Sequence, residues 1–161
     1  MIAADSSDRE RRWLPPRALL ASLIAQLPLL LASWPPSPAG PALASGLVLL
    51  ALGIGLNAWA DRLFHRAGVG VCPYSPVPRL VAGGPFRYSR HPMYVGLVCV
   101  TAGAALASGV YANLWSAVAF ALWLDGAYVR PEEAFLRAEL GAEYDAYARR
   151  VPRWLGWSRA T

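Results

Sequence analysis

Apolar residues in this chain gather in four long stretches separated by short segments rich in arginine, proline and glycine. The stretches cover residues 17–34, 42–60, 94–108 and 112–128. Each approaches the roughly 20 residues a helix needs to cross a ~30 Å hydrocarbon core. The first and third are short and carry helix-weakening Pro28 and Gly103, which leaves a re-entrant or tilted segment as the alternative for them. The pattern predicts an all-α fold: an integral-membrane helical bundle of about four transmembrane helices, forming one domain over residues 1–161.

Composition agrees with a single membrane unit, since 56% of the residues are hydrophobic and only 16% charged. All fifteen basic residues are arginine, and none falls in the connections Pro35 to Pro41 or Gly109 to Tyr111. The positive-inside rule therefore puts both termini and the central loop on the cytoplasmic side. The net charge of +5 is not a nucleic-acid signature, because the arginines flank apolar spans and no recognition motif accompanies them. The N-terminus lacks the pattern of a cleaved signal peptide, so the first span is expected to stay in the mature protein. Cys72 and Cys99 are far apart and no histidines cluster near them. Neither a metal site nor a disulfide is expected.

Between Asp61 and His91 glycines and prolines interrupt regular structure, a mixture suited either to wrapping a small ligand with main-chain groups or to a plain connector. The loop ends in Gly84-Pro85-Phe86-Arg87-Tyr88-Ser89-Arg90-His91-Pro92-Met93-Tyr94-Val95-Gly96, a basic and aromatic run leading into the third stretch. Residues 130–147 read as an amphipathic helix, with Pro131 near its start, Glu132 and Glu133 in its first turn, and Phe135, Leu136 and Leu140 at helical spacing. Gly141 interrupts it, and the tail from Arg149 to Trp157 mixes arginine with tryptophan as interfacial anchors do. Two crossings of ~18 residues each, at 1.5 Å per residue, return the chain to the face it left. Arg90 and His91 should then lie close to Glu132 and Glu133. Asn57 and Asp125, polar groups within or at the ends of spans, are further site candidates.

The run Arg90-His91-Pro92-Met93-Tyr94, followed after a helical hairpin by Glu132-Glu133, resembles the paired signature of the isoprenylcysteine carboxyl methyltransferase and phospholipid methyltransferase superfamily. The tail from Tyr144 to Arg153 is similar to that family's ending, so the resemblance covers residues 80–155. It implies an integral-membrane enzyme that uses S-adenosylmethionine, enclosed between the last transmembrane helices and the cytoplasmic C-terminal helix. It implies His91, Tyr94 and Gly96 as cofactor-binding residues, with Tyr88 and Arg90 beside them and Glu132 or Glu133 holding the cofactor's amino or ribose groups. A soluble dinucleotide-type methyltransferase does not fit, because strands and a glycine-rich strand-to-helix turn are missing from the pattern.

The resemblance points to Arg150 as the group that would orient a carboxylate or thiolate acceptor. An amine acceptor would instead need a base, for which a glutamate such as Glu133, or His91, is a candidate. A pocket closed by membrane helices favours an amphiphilic acceptor: a phospholipid amine, a prenylated cysteine carboxylate or a small apolar thiol. The arginine- and alanine-rich composition suggests a bacterial inner-membrane protein. The competing class is a non-enzymatic membrane protein whose arginines bind anionic lipid headgroups.

Overall fold

The computed structural model describes residues 15–33, 40–68 and 80–156. Cys72, Trp157, the segment before Pro15 and nearly all of the proline-rich connection at 34–41 lie outside the described residues. Helices and short helical turns make up the regular structure, and no strand occurs among the described residues.

The first apolar stretch forms two helices, α1 (Pro15–Ile24) and α2 (Leu27–Ala32), with a turn at Ala25 and Gln26 between them. Pro28 explains the break: it lacks the N–H that a continuing helix needs, yet suits the first turn of a new one. Helix α3 (Gly40–Ala67) is 28 residues long and continues past the apolar stretch into a polar end where His65 pairs with Asp61 at 3.5 Å. Helix α4 (Pro92–Ala107) comes after the loop, and a tight turn through Tyr111–Asn113 leads into α5 (Leu114–Leu124).

The helix does not break at the end of α5. A π-helical turn, Asp125–Val129, joins α5 to α6 (Arg130–Leu140) in one continuous helical run, with Arg130 N–H donating to the carbonyl of Asp125 five residues back. The wide turn accommodates Pro131, whose ring would press on the carbonyl of Ala127 in a regular α-helix. The expected boundary near residue 128 is therefore a change of pitch within a helix. Gly141, at φ 52°, then reverses the chain into α7 (Ala142–Arg150), a backbone angle open to glycine at little cost.

Helices α3 and α4 run antiparallel and pack at four glycines. A Cβ on Gly46 would lie 2.5 Å from Ala107 N and 2.7 Å from Gly103 O; one on Gly53 would lie 2.6 Å from Gly96 O. Gly46 and Gly53 are one heptad apart, as are Gly96 and Gly103, so the two small-residue faces meet along their length. Helix α1 joins α4 through polar groups: the Ser22 and Thr101 hydroxyls are 3.1 Å apart, and Gln26 Nε2 donates to Thr101 O at 3.1 Å. Tyr94, Phe120, Leu124, Tyr128 and Val129 form the core between α4 and the long helical run.

Apolar side chains also cover the outside. Leu20, Ile24, Leu31, Leu47, Leu52, Trp115 and Leu122 are all exposed. Among the described residues one helix, Gly40–Ala67, is long and apolar enough to cross a membrane, while the run Arg17–Ala32, which spans α1 and α2, and the helix Pro92–Ala107 are shorter apolar segments.

At one end of the helices, the loop before α4 and the tail after α7 are stitched together. Arg90 N–H donates to Pro152 O at 3.0 Å, Ser89 Oγ to Arg153 O at 3.2 Å, and Tyr147 hydroxyl to Phe86 O at 2.8 Å. A second core of Tyr144, Tyr147 and Val151 lies beneath this seam.

Candidate functional site

The site forms where the start of α4 meets the first turn of α6. Pro92 opens α4, and the residue before it, His91, is held by its own N–H donating to Ser89 Oγ at 3.0 Å. This turns the imidazole toward the paired glutamates. Its Nε2 lies 3.3 Å from Glu133 Oε1 and its Nδ1 3.7 Å from Glu132 Oε2. Tyr94 hydroxyl donates to Glu132 Oε2 at 3.0 Å, and the Tyr94 ring stacks with His91 at a centroid distance of 5.7 Å.

Glu133 is 3% exposed and saturated with donors. Arg153 forks onto it, Nε to Oε1 at 3.1 Å and Nη2 to Oε2 at 2.8 Å, while Arg90 Nη1 stands 3.0 Å from Oε1. Such bidentate, charge-assisted bonds are among the strongest polar contacts a protein makes. Arg153 Nη1 also lies 3.6 Å from Asp125, which accepts from Trp154 Nε1 at 3.2 Å and from Arg130 Nε at 2.7 Å. The tail is thus strapped to the π-helical turn as well as to the loop.

The two glutamates differ electrostatically. Burial acts to raise the Glu133 pKa, but hydrogen bonds from His91 and Arg153 and the charge of Arg90 outweigh it and bring it down to about 2. Glu132 moves the other way: burial raises its pKa, and its contacts with His91 and Tyr94 offset that only in part. Tyr144, buried and facing the negative charge of Glu133, has its phenol pushed up to about 12. A carboxylate held as low as Glu133 is a fixed anion that orients its donors; Glu132 is the member of the pair able to exchange a proton nearer neutral pH.

Of the residues singled out in the sequence, Arg90, His91, Tyr94, Glu132 and Glu133 come together here. Tyr88 is half exposed and contributes its carbonyl to Gly156 N–H. Gly96 lies at the contact with α3, where an added Cβ would meet Asn57 Nδ2 and Gly53 O. Asn57 itself donates to Gly53 O at 2.9 Å within its own helix. Arg150 is exposed and its Nε donates to Ala146 O at 3.3 Å, on the outside of α7. Sequence reasoning missed Arg153, which holds Glu133, and Trp154, which holds Asp125. The signals for them were their membership of a basic, aromatic tail and, for Arg153, its place in the segment similar to the family's ending.

Beside the cluster an open cleft of about 320 Å³ is lined by Arg90, Glu133, Arg137, Asp145, Arg149 and Arg153. Its size falls within the ~300–1,000 Å³ usual for small-molecule sites. Among the described buried side chains, Arg90 Nε, the Tyr144 hydroxyl and both amide atoms of Asn113 have no well-formed hydrogen bond, and Arg90 is near enough to Tyr144 to act on its phenol. Buried polar atoms of this kind are rare unless a ligand or water completes them.

A family model for phospholipid methyltransferases matches residues 41–143, well over half of the chain, which therefore belongs to the phospholipid methyltransferase family. The matched segment contains His91, Tyr94 and both glutamates and ends before Tyr144 and Arg153. No curated protein and no solved structure matches the chain. Family membership implies methyl transfer to a lipid-type acceptor.

Proposed function

We propose that this chain is an integral-membrane methyltransferase that uses S-adenosylmethionine and methylates the headgroup amine of a lipid at the cytoplasmic face. The observation that carries the reading is the convergence of His91, Tyr94, Glu132 and Glu133 from two ends of a helical hairpin onto one buried cluster. Family membership favours the phospholipid amine over a prenylated cysteine carboxylate or a thiol.

The residues fit the cofactor chemically. It offers a carboxylate, an ammonium, ribose hydroxyls, an adenine and a sulfonium. Arg90, which reaches into the cluster beside Glu133, suits the carboxylate. The rings of Tyr94 and Tyr128, 6.0 Å apart, give a face for a cation or a flat base. The cofactor supplies a methyl group already activated by positive charge on sulfur. The chain has to align the amine, keep water out and take up one proton. Glu132, with its raised pKa, is the group assigned to receive that proton, and Glu133 keeps His91 oriented.

Membrane embedding is supported by the many large apolar side chains exposed along α1 through α5, which a bilayer would cover. The bundle we propose has four spans: α1 with α2, α3, α4, and α5 with its π-helical turn. Arginine placement sets both termini toward the cytoplasm.

The test is incubation of the protein in bilayer nanodiscs with methyl-labelled S-adenosylmethionine and a total bacterial lipid extract. Label in an aminophospholipid supports the proposal. Cofactor binding without lipid labelling would redirect the acceptor to thiols or carboxylates. Neither binding nor transfer would leave a lipid-binding membrane protein.

A further inference from the structure

The arginine-lined cleft beside Glu133 has no part in the proton and methyl transfer assigned to Glu132 and the cofactor. It presents four guanidinium groups, Arg90, Arg137, Arg149 and Arg153, against two carboxylates, Glu133 and Asp145. Three of the arginines are engaged by those carboxylates. Arg153 forks onto Glu133, and Arg137 Nε donates to Asp145 at 2.8 Å while its guanidinium lies over the Tyr144 ring at 5.6 Å. Arg149 is exposed and pairs with neither carboxylate, whereas Arg90 is turned inward to Glu133 and the Tyr144 hydroxyl. The cleft therefore carries positive charge in excess, with donors left over for an anion.

Its position narrows the anion. Arg90 lies two residues before Pro92 at the start of α4, and Arg153 is tied to the same loop by the Ser89–Arg153 hydrogen bond and the neighbouring Arg90–Pro152 bond. The cleft is thus at the level where apolar helix gives way to polar loop. The headgroup layer of a bilayer, roughly 5–7 Å deep on each side of the hydrocarbon, occupies that level. Arginine is also the side chain best shaped to grip phosphate oxygens in pairs.

We propose that this cleft binds the phosphodiester of the lipid acceptor, with Arg149 as its principal donor, so that the amine is presented to the neighbouring Glu132. The assignment rests on the methyltransferase reading only for what it says of the amine. Phosphate recognition itself stands on the cleft. A phosphodiester-bearing acceptor is then preferred over an uncharged amphiphile with the same amine.

The full chain, purified in a nonionic maltoside, is titrated calorimetrically with inorganic phosphate, short-chain phosphatidylethanolamine, dodecylamine and, separately, S-adenosylmethionine. Wild-type protein should bind the phospholipid at least tenfold more tightly than dodecylamine. Arg149→Gln should weaken phospholipid binding on the order of tenfold, about 1.4 kcal/mol, and leave dodecylamine and cofactor affinity unchanged. Arg149→Lys should recover part of the loss. Because Arg149 is exposed on α7, an unchanged melting temperature will show that the variant is folded. Equal phospholipid affinity in wild type and Arg149→Gln overturns the proposal. So does loss of cofactor affinity in place of lipid affinity, which would give the cleft to the cofactor's carboxylate. Binding of inorganic phosphate without preference for the phospholipid overturns the lipid source. If the arginine-dependent phospholipid binding holds but wild-type protein binds no cofactor, the cleft assignment stands and the methyltransferase reading falls.

Discussion

Glu133 and Arg153 meet through two parallel hydrogen bonds of 3.1 and 2.8 Å, although Gly141 and the whole of α7 lie between them. Truncating Arg153 would leave Glu133 with Arg90 and His91 alone. Arg153→Ala is expected to destabilise the protein by about 1–3 kcal/mol, the range for losing charge-assisted bonds to a buried carboxylate. Arg153→Lys, which keeps the charge and loses the fork, should fall between. Thermal unfolding in detergent followed by circular dichroism measures both, and equal stability of all three proteins would contradict the assignment.

The two glutamates give stability opposite slopes with pH. Glu133, at about 2 in the fold against an ordinary 4.5, contributes stability that is complete above about 4.5 and is lost as pH falls toward 2. Glu132, raised, keeps its proton to higher pH in the fold, so its contribution favours the fold in acid and declines as pH climbs above 4.5 through its folded value. Glu133→Gln should flatten the acid limb of a stability–pH curve, whereas Glu132→Gln should steepen its net rise with pH. Identical curves for the two variants would show that the carboxylates are not differentiated.

Glycines in α3 separate by what they touch. Gly46→Ala would drive a methyl group into backbone atoms of Ala107 and Gly103 and should cost about 1–3 kcal/mol. Gly55→Ala, with nothing within 4 Å, should be neutral or stabilising by about 0.5–1 kcal/mol. Melting temperatures of the pair decide it, and a Gly46→Ala protein as stable as Gly55→Ala would mean the helices do not pack as described.

Asp125 fastens the tail through Trp154 and Arg153. Asp125→Ala should loosen the strap without unfolding the helices. Limited trypsin digestion should then cut faster at Arg150 and Arg153, detected by mass spectrometry of the released C-terminus. Unchanged cleavage rates would assign the strap's stability to the Arg90–Pro152, Ser89–Arg153 and Glu133–Arg153 contacts without Asp125.

Much of the site was legible because crossing lengths are physical constraints. Two stretches of near-equal length must bring Arg90 and His91 back to Glu132 and Glu133, and the structure brings them together. Arg153 was not legible, since its approach depends on a backbone reversal at Gly141 whose direction a sequence does not state. Gly96 shows a different limit. Its motif said nothing of its packing against Gly53 and Asn57, on a helix more than thirty residues earlier. The split of the first stretch is explained by Pro28, but propensity alone did not choose between a kink and a restart.

The π-helical turn at Asp125–Val129 makes the angular setting of the glutamates depend on a single residue. Each α-helical residue turns the chain by about 100°, and the wide turn takes about one extra residue over the same rotation, so closing it to regular pitch with every residue kept would swing everything downstream around the helix axis by roughly that angle. Glu132 and Glu133 would then look away from His91 with every atom of their own side chains intact. The alignment of this centre is written as a phase, in the pitch of the turn between α5 and Pro131, as much as in the identity of the groups that meet there.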